Sequence, residues 1–219
     1  DYINADFGAG ILYCDTGAGK TDITMYIIWA LGVNTTVLID GIQLLRQTQR
    51  RYESTFREEI GVIGDGSFER KRITLMSVDS GYDNMNKNTE KGEIVRGLLK
   101  DTELCVGDEI HKLTSPTAVE LKTRFHSYYN LGASATPHKK CAARDGLLTS
   151  MYGLPVASIT SKQQHDAGRC ATMHVISVPC RTPMEYAKST APIWILNSKL
   201  ITKNASRNAI IGNIACVLG

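Results

Sequence analysis

The sequence lacks any close cysteine pair. Its six cysteines, at Cys14, Cys105, Cys141, Cys170, Cys180 and Cys216, are widely spread and contain no C-x-x-C. That spacing excludes a compact disulfide framework and suits reduced thiols in an intracellular protein. No secretory leader is expected, and no apolar run approaches the ~18 residues a membrane-spanning helix needs, so no membrane partner is expected. Internal repeats and low-complexity segments are also missing. A strong excess of either charge is lacking: 25 Lys and Arg stand against 22 Asp and Glu, for a net charge of +3 and an isoelectric point of about 8.5. This bias is compatible with nucleic acid without requiring it. A zinc site from His165, Cys170, His174 and Cys180, with His138 and Cys141 nearby, matches no standard knuckle spacing; buried thiols and ordinary histidines are the better reading.

What is present is a chain of 219 residues, 42% of them apolar, enough for one α/β domain and part of a second. Short β-branched runs alternate with longer amphipathic stretches, the pattern of a mainly parallel sheet flanked by helices. Strands are expected at 10–14, 36–39, 62–63, 73–76, 103–107, 128–131, 156–159 and 173–178. Helices are expected at 20–31, 42–59, 93–99, 118–125, 183–188 and 206–218. Gly32 supplies the stop for the first, and Trp29 falls among apolar residues at helical spacing, as a core position would. The polar, Asn-rich stretch from Asp79 to Lys91 reads as a loop.

Three segments carry chemistry. Cys14-Asp15-Thr16-Gly17-Ala18-Gly19-Lys20-Thr21 lies between a strand and a helix. A glycine-rich turn there lets backbone N–H groups face phosphates, helped by the helix N-terminus. Thr16, Gly17, Ala18, Gly19, Lys20 and Thr21 would cradle the nucleotide. Lys20 would reach the β- and γ-phosphates, and the Thr21 hydroxyl would ligate Mg²⁺. Asp108-Glu109-Ile110-His111 ends an apolar strand, with Asp108 as a carboxylate for the metal and Glu109 to orient and deprotonate water. An acidic pair after a strand is by itself more often a solvated strand end; the upstream loop changes that weighting. Ser134-Ala135-Thr136 follows another strand and, taken alone, is an ordinary turn composition.

Together these segments resemble motifs I, II and III of superfamily 2 helicases, in order and spacing. The intervening text resembles the XPB and phage UvsW branch. Val37 to Gln47 is similar to its motif Ia, Ile60 to Gly66 to the strand and glycines that follow, and Arg144-Asp145-Gly146 and Arg207-Asn208 to later segments. The resemblance implies a RecA-like P-loop lobe over 1–170, then a linker and the truncated start of a second RecA-like lobe over 171–219. It implies an ATP- and Mg²⁺-dependent DNA helicase or translocase, with RNA as the other candidate strand. Lys20, Asp108 and Glu109 would be catalytic. His111, Ser134 and Thr136 would couple nucleotide state to lobe closure, and Gly41 and Arg46 would lie beside the nucleic-acid strand. The related alternatives are a motor subunit of a restriction or remodelling complex, and a non-catalytic nucleic-acid-binding scaffold. The expected location is the cytoplasm or nucleoid, or a host cytoplasm for a phage-encoded protein.

Departures from the family pattern are Cys14 for the loop's first small residue, Asp15 for a common Pro, Asp40-Gly41 for Pro-Thr, and Gly107 for an apolar residue. The arginine finger of such enzymes sits in the second lobe and is worth roughly 10³–10⁵ in rate, so the chain is expected to bind nucleotide better than it hydrolyses it. The remaining basic residues, Arg50, Arg51, Arg70, Lys71, Arg72, Lys139 and Lys140, fit a nucleic-acid track and a solvated face equally well.

Overall fold

Six strands of this chain are buried along nearly their whole length, and such strands are stable only when helices cover both sides. In a computed structural model, which describes residues 8–15, 17–135, 142–168 and 204–218, that is the arrangement. The strands are β1 (Ala9–Cys14), β2 (Thr35–Ile39), β3 (Gly61–Gly64), β4 (Ser67–Glu69), β5 (Ile73–Ser77), β6 (Leu104–Asp108), β7 (Tyr129–Ser134) and β8 (Pro155–Ile159). They form one sheet in the order β4-β3-β5-β2-β6-β7-β1-β8. All pairings are parallel except β3 with β4. The helices of this unit are α1 (Lys20–Leu31), α2 (Ile42–Phe56), α3 (Val78–Met85), α4 (Glu90–Asp101), α5 (Pro116–Thr123), α6 (Ala142–Tyr152) and α7 (Ser161–Asp166).

Strand alternation divides the core into two layers. Ile11, Tyr13, Leu38 and Cys105 join a cluster with Met85, Leu98, Leu121 and Tyr152 from α3, α4, α5 and α6. Leu12, Cys14, Val37, Ile39 and Val106 face the other way, onto Met25 and Ile28 of α1 and Leu45 and Tyr52 of α2.

The chain separates into two compact units, 1–171 and 172–219. Of the second, the structure describes one helix, α8 (Ala205–Leu218), whose first turn is capped by Asn204 Oδ1 accepting from Arg207 N at 3.0 Å. The strand expected at 173–178 and the helix at 183–188 lie outside the described residues.

Four elements differ from expectation: α3, β4, α6 and the short α7 (Ser161–Asp166). The segment from Asp79 to Lys91 is not a loop: α3 and the start of α4 occupy most of it. Val78, Gly81 and Met85 are its buried face; of the asparagines that suggested a loop, Asn84 lies in the helix, donating to Ser80 O at 2.9 Å, while Asn86 is its C-cap and Asn88 lies beyond it. Thr89 separates the two helices by accepting from Gly92 N at 3.2 Å, an N-cap. The Asp65-Gly66 turn makes a hairpin of β3 and β4, a signal of the Asp-Gly type. Helix α6 was also not anticipated. It lays Tyr152 over Gly107 of β6 and Gly132 of β7, where an added Cβ would fall 2.5 Å from the Tyr152 hydroxyl and 3.1 Å from its ring respectively. Gly107 is therefore a close-approach position, and its departure from the family pattern has a steric cause.

Candidate nucleotide-binding site

The phosphate loop leaves β1 at Cys14. Asp15 N donates to Ile159 O of β8 at 3.0 Å, and Ala18 N donates back to Asp15 O at 3.0 Å, which curls the chain before α1. Gly17 and Gly19 hold φ of 85° and 76°, a region glycine enters without steric cost. Gly19 is the N-cap of α1 and supplies no side-chain acceptor, so the first-turn N–H groups are left for an anion. The loop builds one wall of a cavity of about 360 Å³ lined by Asp15, Gly17, Gly19, Lys20, Thr21, Asp22, Arg51 and Glu109.

The opposite wall comes from β6, separated from β1 by β7 alone. Ending two parallel strands at the same sheet edge brings their following residues together, as is usual for ligand sites in such sheets. Lys20 Nζ donates to Glu109 Oε1 at 2.5 Å. Glu109 has φ of 51°, an uncommon conformation for a residue with a Cβ, and Ile110 N donates to Ala133 O at 3.0 Å to hold the turn. His111 Nδ1 lies 3.0 Å from Ser134 Oγ and 3.2 Å from Glu109 Oε2. The latter contact lacks hydrogen-bond geometry, so Glu109 Oε2 is buried and unsatisfied by hydrogen bonding. Lys20, Glu109, His111 and Ser134 thus form one continuous chain of contacts across three strand ends.

Burial shifts two groups here. The Cys14 thiol is pushed up chiefly by burial, with Asp15 adding and Lys20 opposing, which keeps it protonated and unreactive. The Asp108 carboxyl is raised above the ordinary aspartate range, first by burial and then by Glu109, with Lys20 and Lys112 opposing. A carboxyl raised in the folded state holds its proton longer there than in the unfolded chain. Between the ordinary aspartate value and the raised one, stability therefore falls as pH rises. Asp108→Asn should raise Tm at pH 7, with the gain vanishing in acid below the ordinary aspartate value. A Tm that falls or stays constant at pH 7 would contradict this assignment.

The same features fit a magnesium ion carried in with phosphates. Magnesium is held by one or two carboxylates plus substrate oxygens rather than by an all-protein cage. Asp108, desolvated and beside Glu109, with the Thr21 hydroxyl across the cavity, offers that donor set. Among the described residues no group of three or more His, Cys, Asp or Glu is arranged to hold a metal.

Of the residues expected at the site, Gly17, Gly19, Lys20, Thr21 and Glu109 line the cavity. Ala18, Asp108, His111 and Ser134 back it, while Thr16 and Thr136 lie outside the described residues. Gly41 is the N-cap of α2, and Arg46 is paired with Asp65, Nε to Oδ2 at 2.5 Å. Arg70 pairs with Asp101 at 2.6 Å, Lys71 with Glu59 at 2.6 Å, and Arg72 with Glu58. Each of these cations already has a carboxylate partner, in pairs open enough to water to be readily exchanged. Lys139 and Lys140, with the suggested zinc ligands His138, Cys141, Cys170, His174 and Cys180, lie outside the described residues.

Trp29 is a correction. It is 67% exposed and packs beside Tyr26, ring centroids 5.8 Å apart, on the outer side of α1. Helical spacing placed it on the wrong stripe because α1 is apolar nearly all round. Three cavity residues were missed as nucleotide-site positions: Asp15, noted only as a departure from the loop's usual Pro; Asp22, next in sequence to Thr21; and Arg51, which reaches the site only through the packing of α2 on α1.

Comparison with known proteins agrees with this geometry. The family described as Type III restriction enzyme, res subunit, matches residues 2–139. The chain belongs to that family. Curated relatives include the DNA 3'-5' translocase XPB2 of Sulfurisphaera tokodaii, 31% identical over 59% of this chain and 27% of its own length. The DNA 3'-5' helicase XPB of Mycobacterium tuberculosis is 30% identical over 67% of this chain and 26% of its own. The chain thus spans about a quarter of the length of these curated relatives. The Hef helicase domain of Pyrococcus furiosus shares the fold, with a TM-score of 0.60 at 18% identity over 76% of this chain and 38% of that one. The unit described here is a RecA-like lobe of the superfamily 2 helicase type.

Proposed function

We propose that this chain is the ATP-binding motor lobe of a DNA helicase or translocase. The observation that carries the reading is the 2.5 Å contact between Lys20 of the phosphate loop and Glu109 of the acidic pair. Two segments 89 residues apart in sequence meet where a γ-phosphate and its attacking water would sit.

The chain's own residues suggest the steps. First-turn N–H groups of α1 bind the phosphates, and Lys20 turns from Glu109 to the β- and γ-phosphate oxygens. Glu109, released from Lys20, faces the water and accepts its proton as the γ-phosphoryl group transfers. Asp108 and Thr21 would hold magnesium, which when bound neutralises charge on the phosphate oxygens. His111, bridging Glu109 and Ser134, links the water-orienting carboxylate to the end of β7, an edge where a second RecA-like lobe would register the nucleotide state. DNA as the track is supported by the names of the two curated relatives; such a motor would work in the cytoplasm or on the nucleoid.

The test is fluorescent ATP binding with magnesium, comparing the wild type with Lys20→Ala. Removing a charged phosphate donor should weaken binding about 100-fold, the effect of ~2.7 kcal/mol. Equal affinity in the two proteins would place the nucleotide elsewhere and end this reading.

A further inference from the structure

The phosphate cavity holds a second cation that sequence reasoning assigned no role in it. Arg51 of α2 lines the cavity with Lys20, Thr21 and Glu109. Its Nη2 donates to Asp22 Oδ1 at 2.7 Å. Asp22 directly follows Thr21 in the first turn of α1. The guanidinium is therefore held at the rim of the cavity by a carboxylate, as Lys20 is held by Glu109 deeper inside.

The two partners of the rim pair are half exposed and mostly exposed, with side chains 49% and 63% accessible. An ion pair so open to water contributes little to stability and is readily exchanged. A phosphate group is a better partner, because a guanidinium can donate two parallel bonds to its oxygens. Arg51 is also presented from a fixed base. Tyr52, the next residue, is 2% exposed, packs edge-on against Phe56 with centroids 5.6 Å apart, and belongs to the core between the sheet and α1 and α2. The carbonyl of Arg51 accepts from the Ser54 and Thr55 hydroxyls at 2.8 and 2.9 Å, bracing the helix backbone there. A rigid backbone carrying a loosely held guanidinium beside a phosphate loop is a built arrangement for partner exchange.

We infer that Arg51 is a positioning residue for the nucleotide polyphosphate, and that Asp22 is the internal competitor that holds it until nucleotide enters. When the polyphosphate arrives, Arg51 leaves Asp22 and clamps phosphate oxygens from the α2 side, opposite Glu109. The inference deepens the nucleotide reading and rests on it. It supplies a cis arginine from the same lobe, so part of the charge neutralisation does not wait for a second lobe.

The experiment is a titration of the chain with fluorescent ATP, with and without magnesium, for the wild type, Arg51→Gln, Arg51→Lys, Asp22→Asn, Asp22→Asn/Arg51→Gln and Lys20→Ala. Arg51→Gln should weaken binding about tenfold, the effect of one lost charge-assisted bond pair at a half-exposed site. Arg51→Lys should fall between, keeping the charge and losing the fork. Asp22→Asn should strengthen binding, about threefold, by freeing Arg51, and that gain should vanish in the double variant. A merely structural pair predicts losses of the same sign for both single variants. Unchanged affinity in Arg51→Gln, or weakened affinity in Asp22→Asn, overturns the inference while a large Lys20→Ala loss leaves the nucleotide reading standing. Insensitivity to Lys20→Ala removes both.

Discussion

Glu109→Gln in the full-length protein is expected to cut ATP turnover by roughly 10²–10⁴-fold, the range for loss of a positioned general base, while nucleotide binding persists or tightens. The second half of that expectation comes from the contact with Lys20. In the resting site Glu109 occupies the Lys20 ammonium at 2.5 Å, so an incoming phosphate must displace a carboxylate. Glutamine keeps the shape and removes the charge, leaving Lys20 readier for phosphate. Phosphate release under saturating ATP, measured beside nucleotide affinity, separates the two effects. Turnover that survives in Glu109→Gln would remove Glu109 from the chemistry. Weakened binding with unaltered turnover would recast it as a residue that shapes the loop.

The second large effect is on stability. Replacing Gly107 by valine should destabilise the domain by about 3 kcal/mol, near the upper end for overpacking a filled core. For a domain of this size that is a fall in Tm of roughly 6–12 °C. A Cβ at 107 would lie 2.5 Å from the Tyr152 hydroxyl, 2.6 Å from its Cζ and 2.7 Å from Ile110 Cγ2. Neither neighbour has room to retreat, since both are fully buried. The Tyr152 hydroxyl is buried without a hydrogen-bond partner, so Tyr152→Phe by itself should be neutral or stabilising. Smaller residues at 152 should partly rescue Gly107→Val, and the two changes should cost less together than the sum of each alone. Thermal melts of the four proteins decide it; additive losses would mean that the ring and the glycine are not matched to each other. Ile110 sits beside Glu109, so the clash should also disturb the water-orienting carboxylate.

The β1–α1 and β6 segments were legible in sequence because their signals are local. An apolar strand, a glycine-rich turn and a hydroxyl after lysine must be contiguous to work, and so must an acidic pair at a strand end. The helix α3 was hidden because its buried stripe is only Val78, Gly81 and Met85, and the asparagine-rich stretch that follows it, at Asn86 and Asn88, colours the composition of the whole segment. In sequence Arg51 fits a surface track and a solvated face equally well, since its place at the phosphate cavity depends on how α2 packs against α1. Tyr152 carried no signal at all. Its role is steric and exists only because α6 returns across the ends of β6 and β7, yet it accounts for an apparent flaw in the motif at Gly107. Trp29 shows the converse limit: on a helix apolar nearly all round, periodicity cannot say which side faces water.

Strand β1 is flanked by β7 and β8, pairing Ala9–Tyr13 with Asn130–Ser134 and Ile11–Cys14 with Pro155–Ile159. Both partners arrive more than a hundred residues later in the chain. During synthesis, β2, β5 and β3 can associate early with α2 between them, whereas β1 waits without neighbours. Closing such long loops is slow, because the chain entropy is lost before the contacts form. The Asp15–Ile159 bond that shapes the phosphate loop therefore cannot form until residue 159 has left the ribosome. Although it is encoded near the start of this sequence, the nucleotide loop is among the last parts of the lobe to take its working shape.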